Sequence, residues 1–133
     1  MHKRMWGIVA LAAAVACAPG HERSDRFLLE QGRLYTTWLY GSEYEKLWDR
    51  FSPDMRQSFG SVTDLASFAG RAVGRLGQER GAVDERIEAA APLRIYSRSA
   101  AFDRASQRVR IEWSLEEDGE VTGLLLRPDT EAQ

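Results

Sequence analysis

The chain has 133 residues, 44% of them hydrophobic and 29% charged, and a formal net charge of -2. That length suffices for one domain with a buried core, and the near-neutral balance offers no basic footprint for nucleic acid. The single cysteine is Cys17 and the two histidines are His2 and His21, so the part expected to fold has neither type. This excludes, within this chain, a Ser-His-Asp triad, a Cys-His pair and a His- or Cys-based metal site. No metal and no cofactor are implied.

Residues 1–5, MHKRM, form a short positive n-region, and residues 6–16 are apolar and uncharged. The apolar run is shorter than the ~20 residues that cross a bilayer core, but it suits a signal-peptide h-region. Two exits from it stay open. Ala16-Cys17-Ala18 is an A-x-A-like site for ordinary cleavage, with Pro19 awkwardly placed just after the cut. Ala14-Val15-Ala16-Cys17 resembles instead a bacterial lipoprotein signal, in which the Cys is lipidated and becomes the first mature residue; Ala14 stands where that family usually has Leu. The second reading divides the chain into a signal peptide (1–16), a lipidated Cys17 with its tether (17–24), a single domain (25–128) and a polar tail (129–133). It implies export, with attachment to the membrane through the lipid alone, on the periplasmic or extracellular side.

Helical periodicity runs over residues 25–40, with Phe27, Leu34 and Trp38 in step and Leu28, Tyr35 and Leu39 beside them. Gly41 is expected to end this helix in the left-handed region. Ser42 and Glu45 then read as a capping box, and Tyr44, Leu47, Trp48 and Phe51 make one apolar stripe. Ser52-Pro53 restarts the chain as N-cap and N1, and Gly60 stops that short helix. Ser61 and Asp64 form another capping pair for a helix to about Leu76. Gly70 and Gly74, four apart, face the same way, which in a soluble helix means close packing against a neighbour more often than a dimer motif.

From Ala82 the period changes to two. Val83, Ile87, Ala89, Ala91, Leu93 and Ile95 alternate with Asp84, Arg86, Glu88, Arg94 and Tyr96, which reads as one long half-buried strand with a bulge or edge position at Pro92. Residues 99–103 make a shorter strand. Val109, Ile111, Trp113 and Leu115 alternate with Arg108, Arg110, Glu112 and Ser114. Asp118-Gly119 signals a type I′ hairpin. It would pair Leu115 with Thr122 and Trp113 with Leu124, with Val121 and Leu125 facing away.

Helices first and an antiparallel sheet after them make an α+β layout, with the helices on one face of the sheet. At this length the order resembles the cone-shaped nuclear-transport-factor-2-like fold. The stretch TTWLYGSEYEKLWDRFSPDMRQSFGSVTDLASF is similar to a bacterial domain of uncharacterised function that often precedes serine hydrolase domains. Trp38, Tyr40-Gly41, Leu47-Trp48, Phe51-Ser52-Pro53, Met55, Phe59-Gly60 and Asp64-Leu65-Ala66 carry the likeness, and GLLLRP (123–128) fits its end. The resemblance implies a non-catalytic binding or protein-interaction domain, accessory to an envelope protein or serine hydrolase supplied in trans. The alternative is a small-molecule enzyme of the cone fold, of isomerase, dehydratase or hydrolase type.

Two sets of residues follow as candidates. Tyr35, Trp38, Trp48, Phe51 and Trp113 would line a pocket between helices and sheet, or fill it as core. Arg86, Arg94, Arg108 and Arg110 would form a charged partner face on the outer side of the sheet, or pair with acidic residues across strands.

Overall fold

A computed structural model describes residues 19–130. Four helices come first: α1 (Pro19–Tyr40), α2 (Tyr44–Arg50), α3 (Pro53–Phe59) and α4 (Val62–Leu76). Four strands follow: β1 (Glu79–Ala90), β2 (Leu93–Phe102), β3 (Val109–Leu115) and β4 (Val121–Pro128). The strands pair antiparallel in the order β1-β2-β3-β4, and the sheet does not close. The expected α+β layout, helices packed on a curved antiparallel sheet, is the one the chain adopts. Cys17 and the leader lie outside the described residues, as do residues 131–133.

Capping sets most of the helix boundaries. Ser52 accepts a hydrogen bond from the Met55 N–H with Pro53 in the first turn, and Ser61 accepts one from the Asp64 N–H. Each satisfies a backbone donor that the helix itself leaves open. The end of α1 departs from expectation. The Glu43 N–H reaches the Trp38 carbonyl, and Ser42, at φ 60°, takes the left-handed position assigned to Gly41. Ser42 is thus the residue after the helix end, and α2 starts from Glu43 with no side-chain cap. The bond from the residue two beyond the cap closes the helix whatever side chain occupies the left-handed site.

The core lies between α1 and the helix-facing side of the sheet. Leu28, Tyr35 and Leu39 on α1 meet Tyr96 on β2, Ile111, Trp113 and Leu115 on β3, and Val121 on β4, all buried. Each such side chain contributes roughly 1.5–3 kcal/mol relative to staying in water. Phe27 and Leu34 are left 39% and 38% exposed, so the buried stripe of α1 is centred on Leu28, Tyr35 and Leu39. Gly32 permits the closest approach: a Cβ there would lie 2.2 Å from the Tyr96 ring. Gly70 and Gly74, expected at a tight contact, are exposed, and a Cβ at Gly74 would meet nothing within 4 Å.

The largest correction concerns residues 82–96. They are two strands and a turn, with a cis Ala91-Pro92 peptide bond between β1 and β2. Ala90 pairs with Leu93, so parity reverses at the turn. On β1 the odd residues Glu85 and Ile87 face the helices; on β2 the even residues Arg94, Tyr96 and Arg98 do. Ile95, expected in the core, lies on the outer face. At the second hairpin Trp113 pairs with Leu124 and Ile111 with Leu126 as expected, but Leu115 pairs with Val121. The Gly119 N–H bonds to the Glu116 carbonyl and Gly119 alone takes positive φ, 86°, where a type I′ turn needs two such residues. The register shift between Ser114 and Leu115 turns Val121 back into the core. Leu125 alone of the two faces away.

Candidate functional site

The five residues proposed for a pocket sit together. Tyr35, Phe51 and Trp113 are buried, and Trp38 and Trp48 are half-buried against them. The Tyr35 ring lies 5.8 Å from Trp113, edge to face, and 5.7 Å from Trp38; Trp48 lies 6.1 Å from Phe51. The polar atoms of Tyr35 and Trp113 are engaged. The Tyr35 hydroxyl donates to the Gly119 carbonyl at 2.6 Å and accepts from Arg50 Nε at 3.1 Å. The Trp113 indole N–H donates to Thr36 Oγ1 at 3.0 Å, and that hydroxyl donates in turn to the Gly32 carbonyl. These contacts tie α1, α2 and the β3–β4 turn into one unit, as buried aromatic hydroxyls and indoles require. Two clefts on the described surface have other walls: one runs along Tyr40, Val73, Gly77, Glu79 and Arg104, another beside Pro92, Glu116, Glu117 and Glu120.

The four arginines proposed for a partner face are not on one face. Arg86 is exposed on the outer side, paired with Glu88. Arg108, also on that side, donates to the Ser99 carbonyl at 2.8 Å. Arg94 faces the helices, 3.1 Å from the Asp25 carboxylate of α1, because of the reversed parity of β2. Arg110 keeps the outer side but is only 3% exposed. Its guanidinium bonds Asp129 Oδ1 at 2.9 Å and Ser97 Oγ at 2.7 Å, and the Ser99 hydroxyl bonds the second oxygen of Asp129. Asp129 is itself only 7% exposed. A buried pair of this kind needs hydrogen bonds to its remaining atoms, and the two serines supply them.

A polar cluster that the sequence did not disclose lies at the rim between α1 and the β1–β2 hairpin. Arg98 grips Glu79 with both Nε (3.1 Å) and Nη2 (2.5 Å). Tyr40 donates to Glu79 at 2.9 Å, Tyr96 to Glu85 at 2.7 Å, and Arg33 Nε to Glu85 at 2.7 Å. Burial alone would raise the Glu85 carboxyl, but hydrogen bonds from Arg33 and Tyr96 outweigh it and hold the group below its ordinary value. Burial, then the Glu85 hydrogen bond, pushes the Tyr96 hydroxyl up to about 12. Tyr40 rises for the same reasons, burial first and Glu79 second. At neutral pH the carboxylate Glu85 is ionised and the two phenols are protonated.

Among the described residues no three His, Cys, Asp or Glu side chains are grouped to hold a metal ion. No described helix is long and apolar enough to cross a membrane. No family model matches the chain, and no curated protein and no solved structure matches it.

Proposed function

We propose that this chain is a nuclear-transport-factor-2-like cone domain, exported and held by lipid on Cys17, that acts as a non-catalytic binding or interaction module beside an envelope serine hydrolase supplied in trans. The observation that carries the reading is the filled space between helices and sheet. Tyr35, Phe51 and Trp113 occupy it, with the Tyr35 hydroxyl and the Trp113 indole N–H bonded, so the domain offers its surface and not its interior. The half-exposed Phe27 and Leu34 on α1 lie on the helix nearest the proposed anchor and add apolar area for a partner.

The test is affinity purification of the tagged full-length chain from its own solubilised membranes, with Cys17→Ser alongside, read by mass spectrometry. The expected result is a lipid mass on the peptide beginning at Cys17 and a serine hydrolase in near-equal amount. A wild-type chain without lipid overturns the anchor. A lipidated chain that carries no envelope hydrolase overturns the accessory role.

A further inference from the structure

An open sheet has two edges, and here they differ. The β1 edge is charged (Arg80, Asp84, Glu85, Arg86 and Glu88) and its register slips between Arg80 and Asp84, with Gly81 at φ 75°. Charges and irregularities of this kind discourage pairing with another strand. The β4 edge runs Gly123-Leu124-Leu125-Leu126 with no slip past its first residue. Among the described residues the backbone bond that reaches β4 from outside the β3–β4 ladder is Ser52 N–H to the Val121 carbonyl, at 2.8 Å. Among the described residues no other backbone bond reaches the edge beyond Val121 as far as Pro128, which has no N–H to offer.

The ladder fixes which groups point outward. The Asp129 N–H bonds the Arg108 carbonyl at 2.8 Å, continuing the Val109–Pro128 register. Bonded and non-bonded pairs alternate in an antiparallel ladder. Glu112–Leu125 and Ser114–Gly123 are therefore bonded pairs, and Leu124 and Leu126 aim their N–H and C=O groups at the open edge.

We propose that this edge is a self-association surface, on which a second copy of the chain lays its own β4 antiparallel about a two-fold axis at Leu125. In that register Leu124 faces the partner's Leu126 and Leu126 faces the partner's Leu124. Each pair exchanges both backbone bonds, so every outward group on these two residues finds its complement. On the helix side leucine meets leucine. On the outer side Leu125, 50% exposed, meets its own symmetry mate at the closely spaced non-bonded position. The patch is thus complementary to itself, which is what a closed two-fold contact demands. Arg127, the nearest charge on the strand, is 2.9 Å from Glu112 of its own chain.

Sedimentation velocity of the full-length chain in detergent, over a concentration series, gives the first reading: a reversible shift to the mass of two copies. Leu125→Lys sets like charges opposite each other at the axis and is expected to stay a monomer with an unchanged melting temperature. Leu125→Cys, oxidised mildly, is expected to give a disulfide-linked dimer well above the wild-type background. Phe68→Cys, on the 39% exposed face of α4, is expected to remain at that background. A wild-type chain that stays monomeric up to its solubility limit overturns the proposal. So does a Leu125→Lys chain that dimerises like wild type, or cross-linking at Phe68→Cys equal to that at Leu125→Cys.

Discussion

The two halves of the sheet solve the same problem, the placing of charge beside a core, in opposite ways. The β1–β2 half puts its largest charged cluster on the helix side, at a rim where Arg33 is half exposed and Glu79, Glu85 and Arg98 keep some contact with water. The β3–β4 half keeps its helix side apolar, with Trp113, Leu115 and Val121 buried, and puts a buried ion pair, Arg110 with Asp129, on the outer face. A rim cluster can exchange a protein partner for water when one is lost. The Arg110–Asp129 pair cannot, and so it has to be complete. Polar groups near a core are thus tolerated either by access to solvent or by full satisfaction, and this small domain uses both.

Breaking the buried pair should have the largest effect. Arg110→Ala leaves the Asp129 carboxylate without its main cation and is expected to cost about 3–5 kcal/mol in chemical denaturation. A loss as small as that of a surface pair would put water in the cluster and erase the contrast between the halves. Gly32→Ala comes next. It drives a methyl into the Tyr96 ring and should cost about 1–3 kcal/mol by overpacking the seam where α1 crosses β2.

Glu85→Gln should cost less, about 1.5 kcal/mol, the low end for hydrogen bonds to charged groups, because Arg33 is half exposed. Its signature is in the pH profile. Glu85 lies below its ordinary value when folded, so it stabilises the fold above that value and loses the contribution as pH falls through its own lower one. Tyr96 behaves oppositely: its contribution is full below its ordinary value of 10.0 and is lost as pH rises through about 12. Glu85→Gln is therefore expected to flatten the acid limb of stability and to lower the pH at which Tyr96 ionises, read by ultraviolet difference titration. An unchanged acid limb would remove Glu85 from the account. The smallest effect has the opposite sign. Gly74→Ala, exposed on α4, should stabilise the fold by about 0.5–1 kcal/mol, since the helix gains propensity and the methyl meets nothing.

The helical half was the more legible from sequence, because caps are local. Ser52-Pro53, Ser61 with Asp64, and Gly60 each act within one turn of chain, and each was found where the residues put it. Ser42 defeated the same logic because a Schellman closure is decided by backbone bonds that can hold a serine where glycine is usual. In the sheet, alternation located β3 and the Trp113–Leu124 pairing. It could not locate the β1–β2 turn, since Ala91, Leu93 and Ile95 continue the odd-position pattern of β1 straight through Pro92. That one turn moved Arg94, Tyr96 and Arg98 to the helix side and with them the whole rim cluster. A turn placed at Pro92 would have put two arginines and a tyrosine on the core face, opposite Glu85, and that conflict is the signal by which the cluster could have been found. The aromatic set was legible as a group, because Trp38, Trp48 and Phe51 share helical stripes and Trp113 sits on a clean strand. Its role as packing depends on hydrogen bonds to Gly119, Thr36 and Arg50 from distant parts of the chain.

The claim that the interior is filled is tested most directly at one proton, the indole N–H of Trp113, by hydrogen exchange followed with NMR. It donates to Thr36 in the buried core, whereas Trp38 and Trp48 are half-buried. The account predicts that this proton exchanges only through global unfolding, with a free energy equal to that from denaturant, while the other two exchange faster. Exchange of Trp113 at the rate of Trp38 and Trp48 would mean that water reaches the space between helices and sheet, and the interior would then be a pocket.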